Sequence, residues 1–135
     1  MRRHLMEHPR QVRIVRLDGG SDPDWDLGDG PFSALLRTPD ETTVVCEARV
    51  VPKGVRSEGP YAVIEVAGPL EFGAVGVLLG ILEPLVASGI GILGYSSFDT
   101  DWILVPSAQR EEAIRAWRRA GLIVTPTTLP SGGAS

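Results

Sequence analysis

The chain has 135 residues, of which 43% are hydrophobic, and its 13 basic and 17 acidic side chains leave a formal net charge of −4. This length and apolar content allow a buried core, in one domain or in two small units. A net acidic chain argues against nucleic acid as the main partner, because binding to phosphates needs a basic face. No apolar run approaches the roughly 20 residues of a membrane span, and the N-terminus lacks the apolar stretch of a secretory signal. We therefore expect a cytoplasmic protein with no membrane partner.

The first 58 residues divide into an arm and a small unit. Residues 1–10 are expected to be a flexible N-terminal arm, and residues 11–58 a compact unit with few regular elements. Apolar alternation, β-branched residues and turn-forming residues separate those elements along the chain. They are a strand at 12–17, an acidic glycine-rich loop at 21–30, a segment at 31–38 that could make two helical turns, and a strand at 42–51.

Residues 59–126 alternate strand and helix patterns. The predicted elements are a strand at 61–67, a helix at 71–88, strands at 90–93 and 102–105, a helix with Ser107 as its N-cap that stops at Gly121, and a strand at 122–125. Pro84 should kink or break the first helix, because it removes a backbone donor. This βαββαβ order predicts an α+β, ferredoxin-like sandwich with both helices on one face of an antiparallel sheet. Residues 127–135 are expected to be a disordered tail.

A weak internal repeat connects the two halves of the chain. Placing Asp40 over Asp99 aligns residues 37–45 with residues 96–104, an offset of 59. Residues 12–19 resemble residues 62–69 at an offset of 50. The difference of nine residues predicts that the first copy lacks part of its helix region. We therefore expect a degenerate unit packed beside a complete one.

The segment from Gly94 to Pro106 concentrates polar chemistry in a turn between two apolar strands. Its polar side chains are Ser96, Ser97, Asp99, Thr100 and Asp101. Carboxylates could accept hydrogen bonds from the ammonium group of an amino acid, and hydroxyls and turn amides could bind its carboxylate. The alternative is a hairpin turn in which Asp99 and Thr100 satisfy their own backbone.

A second candidate lies where the first long helix opens, at residues 68–73. Unpaired amides at a helix start attract anions, and Phe72 and Gly73 would provide a wall and a close backbone approach. The alternative is a plain strand-to-helix connection with Phe72 in the core.

Three other groups of residues carry weaker signals. Asp22, Asp24 and Asp26 imitate a calcium loop, but the glycine and the glutamate that such a loop requires are replaced, so a solvated acidic loop is favoured. His4 and His8 have a spacing that can chelate zinc on a helix, yet no further ligand accompanies them. The single cysteine, Cys46, lies in an apolar run and indicates a buried thiol rather than a nucleophile. We expect no metal and no cofactor.

Several motifs in order resemble the ACT-domain proteins, in the branch that includes the cytosolic arginine sensors and small bacterial tandem members. They are Val66-Ala-Gly-Pro-Leu-Glu-Phe72, Pro84-Leu-Val-Ala-Ser-Gly-Ile-Gly-Ile92 and Tyr95-Ser-Ser-Phe-Asp-Thr-Asp-Trp-Ile-Leu-Val105. The resemblance implies a regulatory domain that binds an amino acid or similar metabolite where two ACT units meet, and no catalysis. The implied ligand-binding residues are Leu70, Glu71, Phe72, Gly73, Gly91, Ile92, Ser96, Ser97, Asp99, Thr100 and Asp101.

Two further functions remain as alternatives. A structural or interaction protein could keep the fold without a working pocket. A hydrolase could use Asp99 and Asp101 with a divalent cation, although no nucleophile and base pair can be named. We expect no catalytic residues, and a homodimer, because a single βαββαβ sheet leaves an edge strand available for pairing.

Overall fold

The computed structural model describes residues 4–67 and 76–127, and the chain divides into two compact units. One unit comprises Met1–Pro9 and Ala62–Ser135, and the other comprises Arg10–Tyr61. The elements in chain order are the strands β1 (His4–Asp18), β2 (Ala34–Arg37), β3 (Glu41–Glu47) and β4 (Ser57–Val66), the helix α1 (Val77–Ala87), the strands β5 (Leu93–Ser96) and β6 (Asp101–Pro106), the helix α2 (Arg110–Arg119) and the strand β7 (Ile123–Pro126). Among the described residues, no helix is long and apolar enough to cross a membrane.

The unit that contains both helices confirms the predicted α+β class. Its strands lie in the order β7-β1-β4-β6-β5, with β5 antiparallel to β6 and β7 parallel to β1. The start of β1 therefore lies between β4 and β7, so the sheet of this unit has one strand more than the predicted βαββαβ order supplies. Its core joins the sheet to both helices and contains, among others, Leu5, Ile64, Ile81, Leu85, Ile103 and Trp117.

The N-terminal segment differs from the expected flexible arm, because it is a strand from His4 onward. Leu5 is fully buried in the core of the helix-containing unit. Residues 4–7 pair with residues 123–126 of β7, which are distant in sequence. Thr127, where the disordered tail was expected to begin, donates its amide to the Glu7 carbonyl at 2.7 Å. Residues 128–135 lie outside the described residues.

Helix α1 runs from Val77 through Pro84 to Ala87 without a break, so of the two expected effects of Pro84, a kink or a break, the break is absent. The indole of Trp117 on α2 donates to the carbonyl of Ile81 at 2.7 Å, in the turn before the proline. The predicted helix start at residues 71–75 lies outside the described residues.

Both helices end as the glycine signals predict. Gly89, with φ of +73°, and Gly121, with φ of +92°, adopt the left-handed conformation that favours glycine after a helix. At the end of α1, the Ile90 amide donates to the Leu85 carbonyl at 3.0 Å, which satisfies one of the last carbonyls of the helix.

The start of α2 differs from the prediction. Ser107 is not the N-cap, because residues Ser107–Gln109 form a 3₁₀ turn and Gln109 precedes the helix. The Ser107 hydroxyl is buried and bonds to no described residue. The expected charge pattern is present, with Glu111 and Glu112 in the first turn and Arg118 and Arg119 in the last.

The unit Arg10–Tyr61 contains the order β2-β3-β1-β4. The two helical turns predicted at residues 31–38 are wrong, because Ala34–Arg37 form β2 and pair antiparallel with Thr42–Val45 of β3. A four-residue apolar segment fits a strand or a helix equally well, and here strand pairing decides. Strand β3 ends at Glu47, and residues Ala48–Val50 form a 3₁₀ turn instead of continuing the strand.

Loop residues cover the small core of this unit. Trp25, Leu27, Val50, Val51 and Val55 pack against the buried side chains of Val15, Val44 and Cys46. Burial raises the pKa of the Cys46 thiol, which keeps it protonated at neutral pH and removes the thiolate that a nucleophile requires.

The buried carboxylate of Glu47 holds that loop. Only 3% of Glu47 is exposed, and it accepts a hydrogen bond from the Asp29 amide at 2.8 Å and another from the Arg49 side chain. Burial raises the pKa of Glu47, but the hydrogen bonds from Arg49 and Asp29 and the charges of Arg49 and Arg10 outweigh it, so the net pKa is lowered. Gly28 has φ of +82°, and a side chain there would clash with the Glu47 carboxylate.

Candidate functional site

The candidate site lies on the hairpin formed by β5 and β6 in the helix-containing unit. The two strands pair in register, from Leu93 opposite Leu104 to Ser96 opposite Asp101. The buried residues Ile103 and Val105 of β6 belong to the helix-covered core and fix the strand in place. The turn at residues 97–100 therefore extends from a firmly packed strand pair.

Hydrogen bonds within the turn use much of its polar chemistry. The Ser97 amide donates to the Thr100 carbonyl at 2.8 Å, and the Ser97 hydroxyl donates to the same oxygen at 3.0 Å. The hydroxyl of Ser96 donates to the carboxylate of Asp101 at 2.6 Å. These three hydroxyl and carboxylate side chains are thus engaged inside the hairpin, as the alternative of a self-satisfied turn predicts.

The Trp102 indole adds a contact that the sequence did not indicate. Its Nε1 donates to the Ser97 hydroxyl at 3.1 Å, across the end of the hairpin. A hydroxyl has two acceptor lone pairs, and one of them is now occupied by an indole rather than by a turn amide. Trp102 was predicted only as part of a buried strand, and no sequence signal gives its side-chain direction.

The turn nevertheless leaves several groups open. Within residues 4–67 and 76–127, the carboxylate of Asp99 makes no hydrogen bond or ion pair, and the amides of Asp99 and Thr100 find no acceptor. Asp99 is exposed and Thr100 is half-buried. The tip of the hairpin therefore presents one anionic side chain and two N–H donors within two consecutive residues.

The predicted ligand-binding residues fall into three groups. Ser96, Ser97, Asp99, Thr100 and Asp101 come together at the hairpin tip. Gly91 and Ile92 precede the other end of β5. Because a strand rises about 3.3 Å per residue, Ile92 lies roughly 13 Å from Ser96 and does not contact the tip. Leu70, Glu71, Phe72 and Gly73 lie outside the described residues.

The two histidines occupy places that the sequence did not predict. They lie four residues apart on β1, where the strand rise separates them by about 13 Å, so they cannot chelate one ion as a helical pair would. His4 Nε2 is 2.7 Å from the Thr125 hydroxyl, and His8 Nε2 is 2.8 Å from Glu65 Oε1. The described residues contain no group of three potential ligands that could hold a metal ion.

His8 also contacts the ring of Trp102, with ring centroids 5.6 Å apart and planes at 42°. The indole that bonds Ser97 therefore also contacts a histidine that is itself paired with Glu65. This contact could have been anticipated only if residues 4–9 had been recognised as a strand, and Pro9 and the mixed polarity of that segment conceal the strand pattern.

Comparisons with known proteins identify the family and the fold. Residues 56–119 match the ACT domain family. Protein Atu0741 from Agrobacterium tumefaciens, known from a crystal structure, is 30% identical in sequence to this chain. The match covers 96% of each chain and has a TM-score of 0.84. Protein VC0802 from Vibrio cholerae, described as a possible transport protein, is 20% identical over 87% of this chain and 89% of its own, with a TM-score of 0.69.

The fold also recurs in an enzyme regulator. The regulatory subunit of aspartate kinase from Thermus thermophilus is 11% identical over 83% of this chain and 93% of its own, with a TM-score of 0.58. At that identity the likeness shows the fold alone. No curated protein matches the chain. The chain belongs to the same family as Atu0741, and it is an ACT-domain protein.

Proposed function

We propose that this chain is a non-catalytic regulatory module that binds an amino acid or a similar small zwitterion at the tip of the β5–β6 hairpin. The observation that carries the proposal is the open chemistry of that tip. The carboxylate of Asp99 and the amides of Asp99 and Thr100 have no partner among the described residues. The ammonium group of a zwitterion would donate to the Asp99 carboxylate, and its carboxylate would accept hydrogen bonds from the two amides.

The open amides have a local cause. In the β2–β3 hairpin, the hydroxyl of Thr38 accepts from the amides of Asp40 at 3.3 Å and Glu41 at 3.0 Å. In the β5–β6 hairpin, the equivalent hydroxyl of Ser97 accepts from the Trp102 indole instead. Trp102 thereby keeps the turn amides available for an external anion.

The hairpin tip is exposed, so a second surface would be needed to enclose a ligand. The outer edge of β5 is a candidate. Ser97 and Thr100 form the first hydrogen-bonded pair of the hairpin. Because bonded and non-bonded pairs alternate along an antiparallel ladder, Ser96 and Gly94 fall in non-bonded pairs, and their backbone N–H and C=O groups point away from β6. Exposed apolar side chains of α1 belong to the same unit, with Leu79 64% and Val86 66% exposed.

The edge formed by β7 is less suited to pairing. Pro126 has no N–H, and the Arg118 guanidinium donates to the Val124 carbonyl at 2.8 Å. We infer a homodimer that pairs through β5, with a ligand at the junction shifting the equilibrium towards the dimer. A cytoplasmic location and kinship with the arginine-sensor branch belong to this same proposal.

A structural or interaction protein without a ligand is the second candidate function. The bonds from Ser96 to Asp101 and from Ser97 to Thr100 favour it, because these side chains already satisfy one another. The two functions differ in one measurable respect, which is whether any small zwitterion stabilises the protein.

Thermal denaturation in the presence of each of the twenty amino acids tests the proposal. A ligand at a hundred times its dissociation constant adds about 2.7 kcal/mol to the free energy of unfolding. Replacing the carboxylate in Asp99→Asn should weaken binding about tenfold or more, because it removes a charge-assisted hydrogen bond.

Asp40→Asn is the matched control, since Asp40 has the same turn position in the β2–β3 hairpin and should leave affinity unchanged. If no amino acid shifts the transition, the structural function is correct instead. If both variants lose affinity equally, the ligand does not bind at the tip of the β5–β6 hairpin. Sedimentation of Leu79→Glu, with and without the amino acid that binds, would show whether the outer face of α1 is used in dimerisation.

A further inference from the structure

A groove in the helix-containing unit, away from the β5–β6 hairpin, is lined by three arginines. It lies between α2, Glu7 of β1 and the end of β7, has a volume of about 340 Å³, and is called the α2 groove below. Its lining includes Glu7, Arg110, Ile114, Arg115, Arg118 and Pro126. Such a volume falls at the lower end of the range for small-molecule sites, roughly 300–1,000 Å³.

The lining of the α2 groove also includes Glu111, so its three arginines face two glutamates and its net formal charge is +1. Arg110 donates a hydrogen bond to Glu7 and lies 4.0 Å from Glu111, so its charge is compensated. Among the described residues, Arg118 donates only to the neutral carbonyl of Val124, so no ion pair compensates its charge.

Arg115 has neither a hydrogen bond nor an ion pair with any residue that the structure describes. Two guanidinium groups on successive turns of one helix face, three residues apart, therefore have no described carboxylate within 4.0 Å.

Apolar surface lies beside these cations. Ile114 is 8% exposed and belongs to the core, so it presents a small hydrophobic patch fixed by its neighbours. Pro126 adds a rigid apolar side at the end of β7. The groove thus combines a net positive charge, located at Arg115 and Arg118, with an apolar floor, and the ligand that suits both is an anion with a compact hydrophobic body.

We propose that the α2 groove binds small carboxylic acids with an apolar body, with Arg115 and Arg118 holding the carboxylate and Ile114 and Pro126 contacting the body. Guanidinium groups bind carboxylates through paired hydrogen bonds, which gives orientation as well as attraction. The pairing of Arg110 with Glu7 fixes one side of the groove and leaves the other two arginines for the ligand.

This site is independent of the β5–β6 hairpin. The strand order β7-β1-β4-β6-β5 places the two at opposite edges of the sheet. Four strand spacings of about 4.8 Å separate β7 from β5 by roughly 19 Å. One site can therefore fail a binding test while the other passes it.

Amide chemical shifts of the full chain during titration with phenylacetate test the inference, with phenylacetamide as the uncharged control. Phenylacetate should shift the amides of α2 and β7, and phenylacetamide should bind at least tenfold more weakly. Arg115→Gln should weaken phenylacetate binding about tenfold; this variant has no described contact to lose, so its fold should be unchanged.

Arg119→Gln is the matched control, because it removes the same charge from the same helix but lies outside the groove lining. Equal losses in the two variants would reduce the effect to the overall charge of the helix and overturn the site. Equal binding of phenylacetate and phenylacetamide would also overturn the site. The same holds if no shifts occur up to the solubility limit of phenylacetate, or if the shifts are confined to residues 96–101. The last result would leave the hairpin proposal standing while removing this one.

Discussion

The two hairpins of this protein, β2–β3 and β5–β6, have the same register although they lie in different units. Adding 59 to every residue of the pairs Ala34–Val45 and Arg37–Thr42 gives the pairs Leu93–Leu104 and Ser96–Asp101. The turns agree as well, since the Thr38 amide donates to the Glu41 carbonyl at 2.9 Å and the Ser97 amide to the Thr100 carbonyl at 2.8 Å. The offset found in the sequence repeat is thus reproduced by the backbone pairing.

Some hydrogen bonds are common to both turns, and others occur in only one hairpin. Both Thr38 and Ser97 donate their hydroxyl to the carbonyl three residues later, at 3.1 and 3.0 Å. A hydroxyl at that place is therefore part of how this turn folds, and it carries no information about a ligand. What differs is Trp102, whose counterpart in the first hairpin is Thr43, and the amides that it leaves open.

The two hairpins also differ in what covers them. Residues of β6 share one core with both helices, including Trp117, whereas a loop that includes Trp25 and Leu27 packs on the core residues of β3. Glu47 accepts the Asp29 amide and holds that loop, and its counterpart at the end of β6 is Pro106. In the unit Arg10–Tyr61, a loop held by a buried charge therefore covers β3, whereas helices belong to the core that contains β6.

The largest expected effect comes from the helical covering. Trp117→Ala should lower the free energy of unfolding by about 3–5 kcal/mol, because it leaves a cavity and removes the bond to Ile81. Trp25→Ala should lower it by less, about 1–2 kcal/mol, because Trp25 is only half-buried. Urea unfolding of both variants measures the difference, and equal losses would contradict the view that the two coverings differ in strength.

A smaller effect is expected at the carboxylate that holds the loop. Glu47→Gln should lower the free energy of unfolding by about 2 kcal/mol at pH 7, because it removes the negative charge that Arg49 and Arg10 stabilise. The folded pKa of Glu47 is lowered, so this contribution is complete above the unfolded value of about 4.3 and is lost as the pH falls through the folded value.

The pH dependence provides the check on that assignment. The gap between the original chain and Glu47→Gln should shrink as urea unfolding is repeated at progressively lower pH below about 4. Asp26→Asn, at an exposed carboxylate of the same loop, is the control and should show no comparable loss at pH 7. A gap that stays constant down to the acid transition would mean that Glu47 acts through packing rather than charge.

The smallest effect lies in the turns themselves. The amides of Asp99 and Thr100 should exchange with solvent about fivefold faster, after correction for intrinsic rates, than those of Asp40 and Glu41. A net hydrogen bond of about 1 kcal/mol corresponds to that factor. Trp102→Phe frees the Ser97 hydroxyl and should slow the two amides towards the rates of the first hairpin. Unchanged rates in the variant would show that the indole does not control the turn.

The sequence predicted the parts of the fold that depend on local patterns. The polar turn between Leu93 and Val105, and the glycines that end both helices, all have signals within a few residues. Strand β2 was missed because Leu35 and Leu36 fit either a strand or a helix, and only pairing with β3 decides. The start of β1 was missed because its partner, β7, lies more than a hundred residues away.

The candidate site was predicted in composition but not in arrangement. The five polar residues of the hairpin tip come together because they are near in sequence. The direction of the Trp102 indole and its support by His8 depend on strands that meet only in the folded sheet. Residue types alone therefore could not show which turn amides remain open.

The placement of the first strand bears on how this protein can be divided. A fragment that begins at residue 56, where the family match starts, would lack the segment that lies between β4 and β7. Its last strand would lose the neighbour with which it pairs here, and the Leu5 side chain would be missing from the core. We therefore expect the matched ACT segment to be less stable alone than within the whole chain, because the first residues of the chain supply a strand and a core side chain to its sheet.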